Sequence, residues 1–542
     1  MSILKKYGFL FFFLFSFLLA VYKIVINLKF FPLPLLFFIL GLISYRMHAK
    51  KSLYLFFFLL PIINALPDFF FNGYPFNYMA IAIFYLSGII ISAQFFKRKF
   101  SPEPRTATHQ DAALSEGLPL TFNFKWAGPY LLFLALLWIS ALFLLLRWSN
   151  ITLPSLAFWK DTPVTPTGEL VSFASIFPVV ALFLFSTAPY ILILIKMNLL
   201  DERKVFKALV YGYTVSFAVA IYQKLIDPGF MAIRWWGEKL DQYNGGFSDF
   251  NAFGFFSGAI FFYLVLSLVN YFTKQPPIND KNVHPKNKLI KESLYLVPGL
   301  LITLLGIILS GCRTAFLFVL FAAAFLFFTK KIKLRYKLIS ILIIALFIII
   351  FGGTLKKRIV AMAANVQKAG SSTDFITALD KVTNGRIEMM QRSIPIIKNY
   401  PLTGVGSGNF LFFLKYRFLG EKYWEDLPLN QYLLILDETG LIGLLVFIFF
   451  LVLLLKQKRK KIYTLLLFSL LTAIFFNFFF WFPECLLLFW IISSFAEEKT
   501  GISSGLLKGK GALLSLGLLL IFVLFQIVHF DSLHPKTWAN EK

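Results

Sequence analysis

The stretch YLVPGLLITLLGIILSGCRTAFLFVLFAAAFLFFTKKIKLRYK, residues 295–337, contains two apolar runs separated by a short turn and followed by a basic cluster. Apolar runs of about 17 to 25 residues recur along the chain, and each is long enough to cross roughly 30 Å of hydrocarbon as a helix. The runs lack the period-two alternation of a membrane β-barrel. The sequence therefore predicts an all-α, polytopic integral membrane protein with about 14 to 15 transmembrane helices.

The net charge of +26 over 542 residues would suggest a nucleic-acid partner in a soluble protein. Here the Lys and Arg residues form short clusters between apolar runs, so we interpret the charge as a topology signal and expect no nucleic acid to bind. The two cysteines, Cys312 and Cys485, support neither a disulfide framework nor a Cys-based metal site.

The basic clusters predict the side of the membrane on which each loop lies, because cytoplasmic loops are enriched in Lys and Arg. With the N-terminus in the cytoplasm and strict alternation, every cytoplasmic segment is basic. These segments are 1–6, 45–51, 97–125, 196–204, 273–293, 330–337, 456–461 and 497–510. The opposite side receives 28–29, 67–77, 147–172, 225–250, 310–313, 353–432, 481–484 and the tail from Asp531.

Two runs are weak as spans. The run from Leu53 to Leu66 is short and contains Pro61, and the run from Cys485 to Ala496 is too short unless it starts earlier.

A long polar segment, 353–432, interrupts the apolar pattern, and chemistry or recognition is expected there. It predicts a partly helical periplasmic region between membrane helices. The chain then divides into four parts: an N-terminal transmembrane bundle at 1–244, core transmembrane helices at 245–352, the periplasmic segment at 353–432, and C-terminal transmembrane helices with a tail at 433–542.

Two arginines are candidate anion ligands. Arg313 lies in LSGCRTAF at the outer membrane boundary, where it is either an arginine that snorkels to the interface or an anion clamp. Arg386 lies in NGRIEMMQRSIPIIKN, whose apolar spacing predicts a helix with Asn384 as N-cap and a bend or end at Pro395. Arg386 is either a solvated loop arginine or a first-turn residue that helps the helix N-terminus to bind an anion.

A glycine-rich turn follows in YPLTGVGSGNF, where Gly404, Gly406 and Gly408 would let the backbone approach a ligand closely. By itself this is a weak signal. No Walker A pattern occurs in the chain, so ATP-driven transport has no support.

Together these motifs resemble the O-antigen ligase and polymerase superfamily, whose bacterial members transfer glycans from an undecaprenyl pyrophosphate carrier. SGCRTAF, NGRIEMM, YPLTGVGSGNF and LNQYLLILDETGLIGLL match the family's signatures in order and spacing, and GFSDFNAFGFF resembles an upstream segment through Asn251. The resemblance covers about residues 245–455.

The resemblance implies that Arg313 and Arg386 hold the donor pyrophosphate. It also implies a histidine base just before Asn430, but this chain has Leu429 there. Three interpretations remain: Asp426 or Glu425 serves as the base, the clamped pyrophosphate leaves without a strong base, or the activity is lost or changed.

The expected protein is a metal-independent glycosyltransferase of the bacterial inner membrane that needs no cofactor. Its partners would be membrane lipid, an undecaprenyl pyrophosphate-linked glycan donor, and a glycan, lipid A core or protein hydroxyl acceptor. A flippase for lipid-linked oligosaccharide is the alternative from another class. A flippase would need charges within the spans, and the spans hold few besides Lys23. A metal-dependent transferase using Asp68 is a weaker rival, since Asp68 stands alone in LPDFFFNG.

Overall fold

The computed structural model describes residues 2–26, 32–63, 75–95, 126–148, 181–231, 242–247, 249–273, 285–328, 338, 386–408, 410, 430–456, 461–496 and 510–529. Within these ranges every regular element is helical and no strand occurs. The predicted all-α class is confirmed for this part of the chain.

The described residues form fifteen α-helices, numbered in chain order. They are α1 Ser2–Ile26, α2 Pro32–Leu59, α3 Pro75–Phe95, α4 Ala127–Trp148, α5 Tyr190–Met197, α6 Glu202–Leu225, α7 Phe250–Thr273, α8 Pro285–Ser310, α9 Ala315–Phe328, α10 Arg386–Gln391, α11 Ser393–Asn399, α12 Gln431–Leu455, α13 Lys461–Ala473, α14 Pro483–Ala496 and α15 Lys510–Val528. A 3₁₀ turn, Phe479–Trp481, precedes α14.

By length and apolar composition alone, four of the described helices could span a membrane: Leu33–Leu59, Glu202–Leu225, Phe250–Asn270 and Gln431–Leu455. The first of them is divided by a reversal at His48. Nine shorter apolar helices of 10 to 17 residues accompany them in the described part. The chain is thus a multi-pass helical membrane protein, while the exact number of spans and the side on which each loop lies stay predictions. The four-part domain division also stays a prediction.

The chain reverses direction inside α2. His48 has non-helical dihedrals, φ −148° and ψ 81°, and the Ser44 and Ser52 hydroxyls lie 2.8 Å apart. In a straight helix eight residues would separate these two positions by about 12 Å. Helix α2 is therefore a helical hairpin whose turn lies in the predicted loop at 45–51. Its first arm contacts Tyr85 of α3 through Ser44, and its second arm contacts Tyr85 through Phe56.

Small residues let several helices approach closely. A Cβ at Gly41 would collide with the Tyr85 carbonyl, one at Gly88 with the Phe38 carbonyl, and one at Gly212 with the Phe58 carbonyl. Between helices in a bilayer the attraction comes mainly from van der Waals packing rather than from the hydrophobic effect, so close backbone approach is one source of cohesion.

Aromatic side chains join the N-terminal and C-terminal parts of the sequence. Trp126 and Tyr130, at the start of α4, lie 5.0 and 5.3 Å from Trp490 of α14 between ring centroids. Phe450 of α12 lies 4.8 Å from Tyr130. The Tyr130 hydroxyl donates to the Phe185 carbonyl at 2.7 Å, which satisfies its polar atom within the core. Helix α4, from the N-terminal half of the sequence, therefore packs against α12 and α14, from the C-terminal half. Helix α12 carries most of the motif LNQYLLILDETGLIGLL.

The short run near the C-terminus is explained by burial. Helix α14 starts at Pro483, two residues before the predicted run, and almost all of its side chains are buried. A helix that is apolar on all sides is typically enclosed by other elements. Protein rather than lipid surrounds α14, so its length need not match the bilayer.

Candidate functional site

The turn that carries Arg313 joins α8 to α9. Gly311 has φ +60°, and a Cβ there would lie 2.8 Å from Gln242 Nε2. The Ser310 hydroxyl accepts a hydrogen bond from the Cys312 amide at 3.1 Å. Cys312 and Thr314 are buried, whereas Arg313 is exposed. The turn therefore anchors the neighbours of Arg313 in the protein and leaves Arg313 at the surface, while its place at the outer membrane boundary stays a prediction.

The segment 242–247 lies against this turn. The Tyr243 amide donates to the Leu309 carbonyl at 3.1 Å, and Gln242 Nε2 donates to the Gly311 carbonyl at 3.4 Å. Just beyond, the Asp249 carboxylate accepts from the Asn251 amide at 2.6 Å and caps the start of α7. The segment that resembles the family through Asn251 thus packs beside the Arg313 turn.

The helix predicted from the apolar spacing is present as α10, Arg386–Gln391, and the place of Arg386 in its first turn stays a prediction. Asn384, the predicted N-cap, lies outside the described residues. The interruption between α10 and α11 falls at Arg392, and Pro395 explains it. Proline has no N–H to donate to the carbonyl four residues earlier, at Gln391, and its ring crowds that carbonyl.

Helix α11 is held against α12 at two levels. The Ser393 hydroxyl donates to Asp437 Oδ2 at 2.6 Å, and both side chains are fully buried. Further along both segments, the Leu441 amide donates to the Pro401 carbonyl at 2.8 Å. Because both residue numbers increase together, α11 and α12 run in the same general direction.

The glycine-rich turn packs where α12 breaks at Gly440, which has φ +67°. The Val405 amide donates to the Asp437 carbonyl at 2.8 Å, and the Gly406 amide donates to the Glu438 carbonyl at 3.0 Å. The break frees carbonyls of α12, and the turn supplies their donors. Irregular backbone at membrane depth requires this kind of internal satisfaction.

The close approach that Gly404 permits is thus to the protein's own backbone. Gly404 has φ +64°, and a Cβ there would lie 2.6 Å from the Glu438 carbonyl carbon and 2.7 Å from the Thr439 nitrogen. The predicted close approach to a ligand has no support at Gly404, and the physical need for glycine at this position is helix packing.

Other helices enclose the same turn. The Ser407 amide donates to the Ser140 hydroxyl of α4 at 2.8 Å, and Gln526 of α15 reaches the Thr403 carbonyl at 3.4 Å. The Tyr400 and His529 rings lie 5.1 Å apart between centroids. Although the turn belongs to the polar segment 353–432, most of it is buried among helices.

Asn430 is the N-cap of α12. Its side-chain oxygen accepts hydrogen bonds from the Tyr432 amide at 2.9 Å and the Leu433 amide at 3.1 Å, and the residue is buried. An asparagine cap of this kind satisfies amides that have no partner within the helix. Part of the hydrogen-bonding capacity of this predicted site residue is therefore used in starting α12.

The starts of three helices meet at one end of the bundle. The Phe480 amide donates to Gln431 Oε1 at 3.1 Å, which joins the start of α12 to the 3₁₀ turn. The ring of Phe479, in that turn, lies 4.2 Å from the ring of Phe255 of α7 between centroids. The Phe255 ring in turn lies 5.4 Å from that of Phe318 of α9. The Arg313 turn, directly before α9, therefore lies at the same end as the start of α12.

Arg386 lies toward this end as well. It precedes Ser393 by seven residues, just as Asn430 precedes Asp437 by seven. Seven helical residues rise about 10.5 Å, so the start of α10 and the start of α12 lie at comparable heights beyond the Ser393–Asp437 hydrogen bond. The structure thus brings Arg313, Arg386 and Asn430 to one end.

Glu425, Asp426 and Leu429 lie outside the described residues, so the proposed carboxylate base remains a prediction from sequence.

The acidic pair Asp437 and Glu438 was not among the residues predicted for the site. Both are buried within α12, and the Gly408 amide hydrogen-bonds to Glu438. Within the described part of the chain, Asp437 Oδ1 and Glu438 Oε1 have no hydrogen-bond partner. The few charges expected within the spans therefore include this pair as well as Lys23. The signal was present in the sequence, because acidic residues inside an apolar run are costly and usually functional.

The fold is that of a multi-pass helical membrane protein in which the Arg313 turn and the Asn430-capped start of α12 lie at one end of the bundle. The family model described as O-antigen ligase matches residues 298–448, which include Arg313, Arg386, the glycine-rich turn and the start of α12. The resemblance to the O-antigen ligase and polymerase superfamily is therefore confirmed over this part of the chain. No curated protein matches the chain.

Proposed function

We propose that this protein is a metal-independent glycosyltransferase of the bacterial inner membrane. It moves a glycan from undecaprenyl pyrophosphate to an acceptor hydroxyl at the periplasmic face. The family match supports a membrane glycosyltransferase-like function in O-antigen or lipopolysaccharide assembly. The observation that carries the finer proposal is the common end of the bundle shared by the Arg313 turn, the start of α10 and the Asn430-capped start of α12.

In the proposed reaction the donor pyrophosphate binds Arg313 and Arg386. The acceptor oxygen forms a bond to the sugar carbon, the bond from that carbon to pyrophosphate breaks, and the acceptor proton passes to a base. A guanidinium donates two parallel hydrogen bonds to phosphate and remains charged. Charge that develops on the departing pyrophosphate is therefore stabilised, and such electrostatic stabilisation is usually the largest catalytic contribution.

Leu429 stands where the family has its presumed base, and leucine cannot accept a proton. Glu425 or Asp426 is the proposed replacement, because each lies within five residues of Asn430. A general base contributes typically about 10² to 10⁴ in rate, so a clamped leaving group alone would still allow slow transfer. If the site is vestigial, Leu429→His should raise the transfer rate.

The test is transfer by the purified protein, supplied with lipid-linked glycan and with glycan, lipid A core or peptide acceptors. Arg313→Lys and Arg386→Lys keep the positive charge but lose the two parallel hydrogen bonds of the guanidinium. Each should therefore lower kcat/KM by at least about tenfold. Because both residues hold one group, the double variant should cost less than the sum of the two single costs.

Arg203→Lys is the matched control. Arg203 is exposed at the start of α6, whereas the other end of α6 reaches the segment beside the Arg313 turn through the hydrogen bond from Gln223 to Asn244. Its transfer rate should equal that of the parent. Parent-level transfer by both site variants would remove the clamp and return both arginines to an interfacial role. Translocation of the donor without a new glycosidic bond would indicate a flippase instead.

A further inference from the structure

The contact between Ser393 and Asp437 differs from most serine contacts in this protein. A serine hydroxyl within a helix commonly bonds a carbonyl of its own helix, as Ser469 does with the Leu466 carbonyl at 2.7 Å. Ser393 instead donates to the carboxylate of another helix at 2.6 Å. The two residues are 44 positions apart in the sequence and both are fully buried.

Because both side chains are buried, this hydrogen bond fixes the position of α11 on α12. A buried polar group costs free energy unless it has a partner, and the penalty is larger for a carboxylate. Asp437 Oδ1 has no hydrogen-bond partner among the described residues, whereas Asp437 Oδ2 accepts from the Ser393 hydroxyl. Ser393 therefore supplies the side-chain hydrogen bond that stabilises this buried carboxylate. If α11 slid or rotated against α12, this partner would be lost.

The bond also sets the position of Arg386. Arg392, between α10 and α11, keeps helical dihedrals of φ −64° and ψ −21°, so the two short helices follow one path. Seven residues make about two helical turns, which places the Arg386 and Ser393 positions on nearly the same face of that path. The height and rotation fixed at Ser393 are therefore passed to the start of α10.

We propose that Asp437 is a positioning residue for glycan transfer. Through Ser393 it holds α10 and α11 at the height and rotation that align Arg386 with the start of α12. The proposal rests on the proposed function, in which Arg386 binds the donor pyrophosphate. Asp437 itself contacts neither the donor nor the acceptor in the proposed mechanism.

The test compares Ser393→Ala, Ser393→Thr and Asp437→Asn in the full-length protein, with Ser469→Ala as the control. Ser469 is equally buried, but its hydroxyl bonds only its own helix. Donor and acceptor are titrated separately. Ser393→Ala should raise the donor KM about tenfold and leave the acceptor KM unchanged, since only donor alignment is loosened. Ser393→Thr and Asp437→Asn retain a possible hydrogen bond and should stay within about threefold of the parent.

Two further measurements separate this inference from the proposed function. In an Arg386→Lys background Ser393→Ala should add little, because the residue that it positions is already impaired. Hydrogen exchange of the amides in 386–400 should quicken in Ser393→Ala and stay at the parent rate in Ser469→Ala.

An unchanged donor KM in Ser393→Ala, a full additive loss in the Arg386→Lys background, or an equal loss in Ser469→Ala would each overturn the positioning role. If Arg386→Lys by itself leaves transfer intact, the proposed clamp fails. The exchange experiment then still decides whether Ser393 and Asp437 hold α10 and α11.

Discussion

Replacing Gly404 with alanine probes the junction between the glycine-rich turn and α12. Gly404 has φ +64°, and its Cβ would lie 2.6 Å from the Glu438 carbonyl carbon. Carbon atoms in contact normally sit about 3.5 to 4.0 Å apart. The turn must therefore retreat by about 1 Å, which would stretch the Val405–Asp437 and Gly406–Glu438 backbone hydrogen bonds from 2.8 and 3.0 Å beyond bonding distance.

The expected loss of stability follows from three terms. A left-handed backbone costs alanine about 1 to 2 kcal/mol. Each lost hydrogen bond costs about 1 kcal/mol, and more where a buried partner is left unsatisfied. We therefore expect Gly404→Ala to lower the free energy of unfolding by about 3 to 6 kcal/mol.

The assay is unfolding in one detergent, followed by tryptophan fluorescence, for the parent, Gly404→Ala and Gly517→Ala. Gly517 is the matched control, because a Cβ there meets nothing within 4 Å. In its helix, alanine should be neutral or stabilise by up to about 1 kcal/mol. A Gly404→Ala protein within about 0.5 kcal/mol of the parent would refute the packing argument, since that is the range of an unremarkable surface change.

Three other predictions concern the ends of the polar segment. Asn430→Ala should cost about 1 kcal/mol of stability through loss of the α12 cap, whereas Asn430→Asp should keep the cap in the same unfolding assay; an alanine variant as stable as the parent would contradict the capping role. Ser371→Cys should react with an impermeant thiol reagent from the periplasmic side of spheroplasts and Lys458→Cys should not; the reverse pattern would overturn the topology. Asp426→Asn and Glu425→Gln should be measured by transfer kinetics, and at least one should reduce kcat more than it weakens donor binding; parent rates in both would exclude a carboxylate base.

The sequence by itself determined the class of fold, because membrane helices are read from long apolar runs and do not depend on distant partners. It also located several backbone features. The reversal at His48, the turn before Arg313 and the start of α10 at Arg386 all follow from local chemistry, namely charge, glycine and helix spacing. Motif order indicated the family for the same reason, since motifs are contiguous in sequence.

Only the tertiary structure decided how these pieces serve one another. The glycine-rich turn satisfies carbonyls of α12 at the Gly440 break, and Ser393 meets Asp437 across 44 residues of sequence. Neither pairing leaves a periodic signal, because each depends on the angle and height at which two helices pack. The sequence marked Asp437 only as a costly acid in an apolar helix. Its partner follows from the packing of α11 against α12, which brings together side chains that the linear order keeps apart.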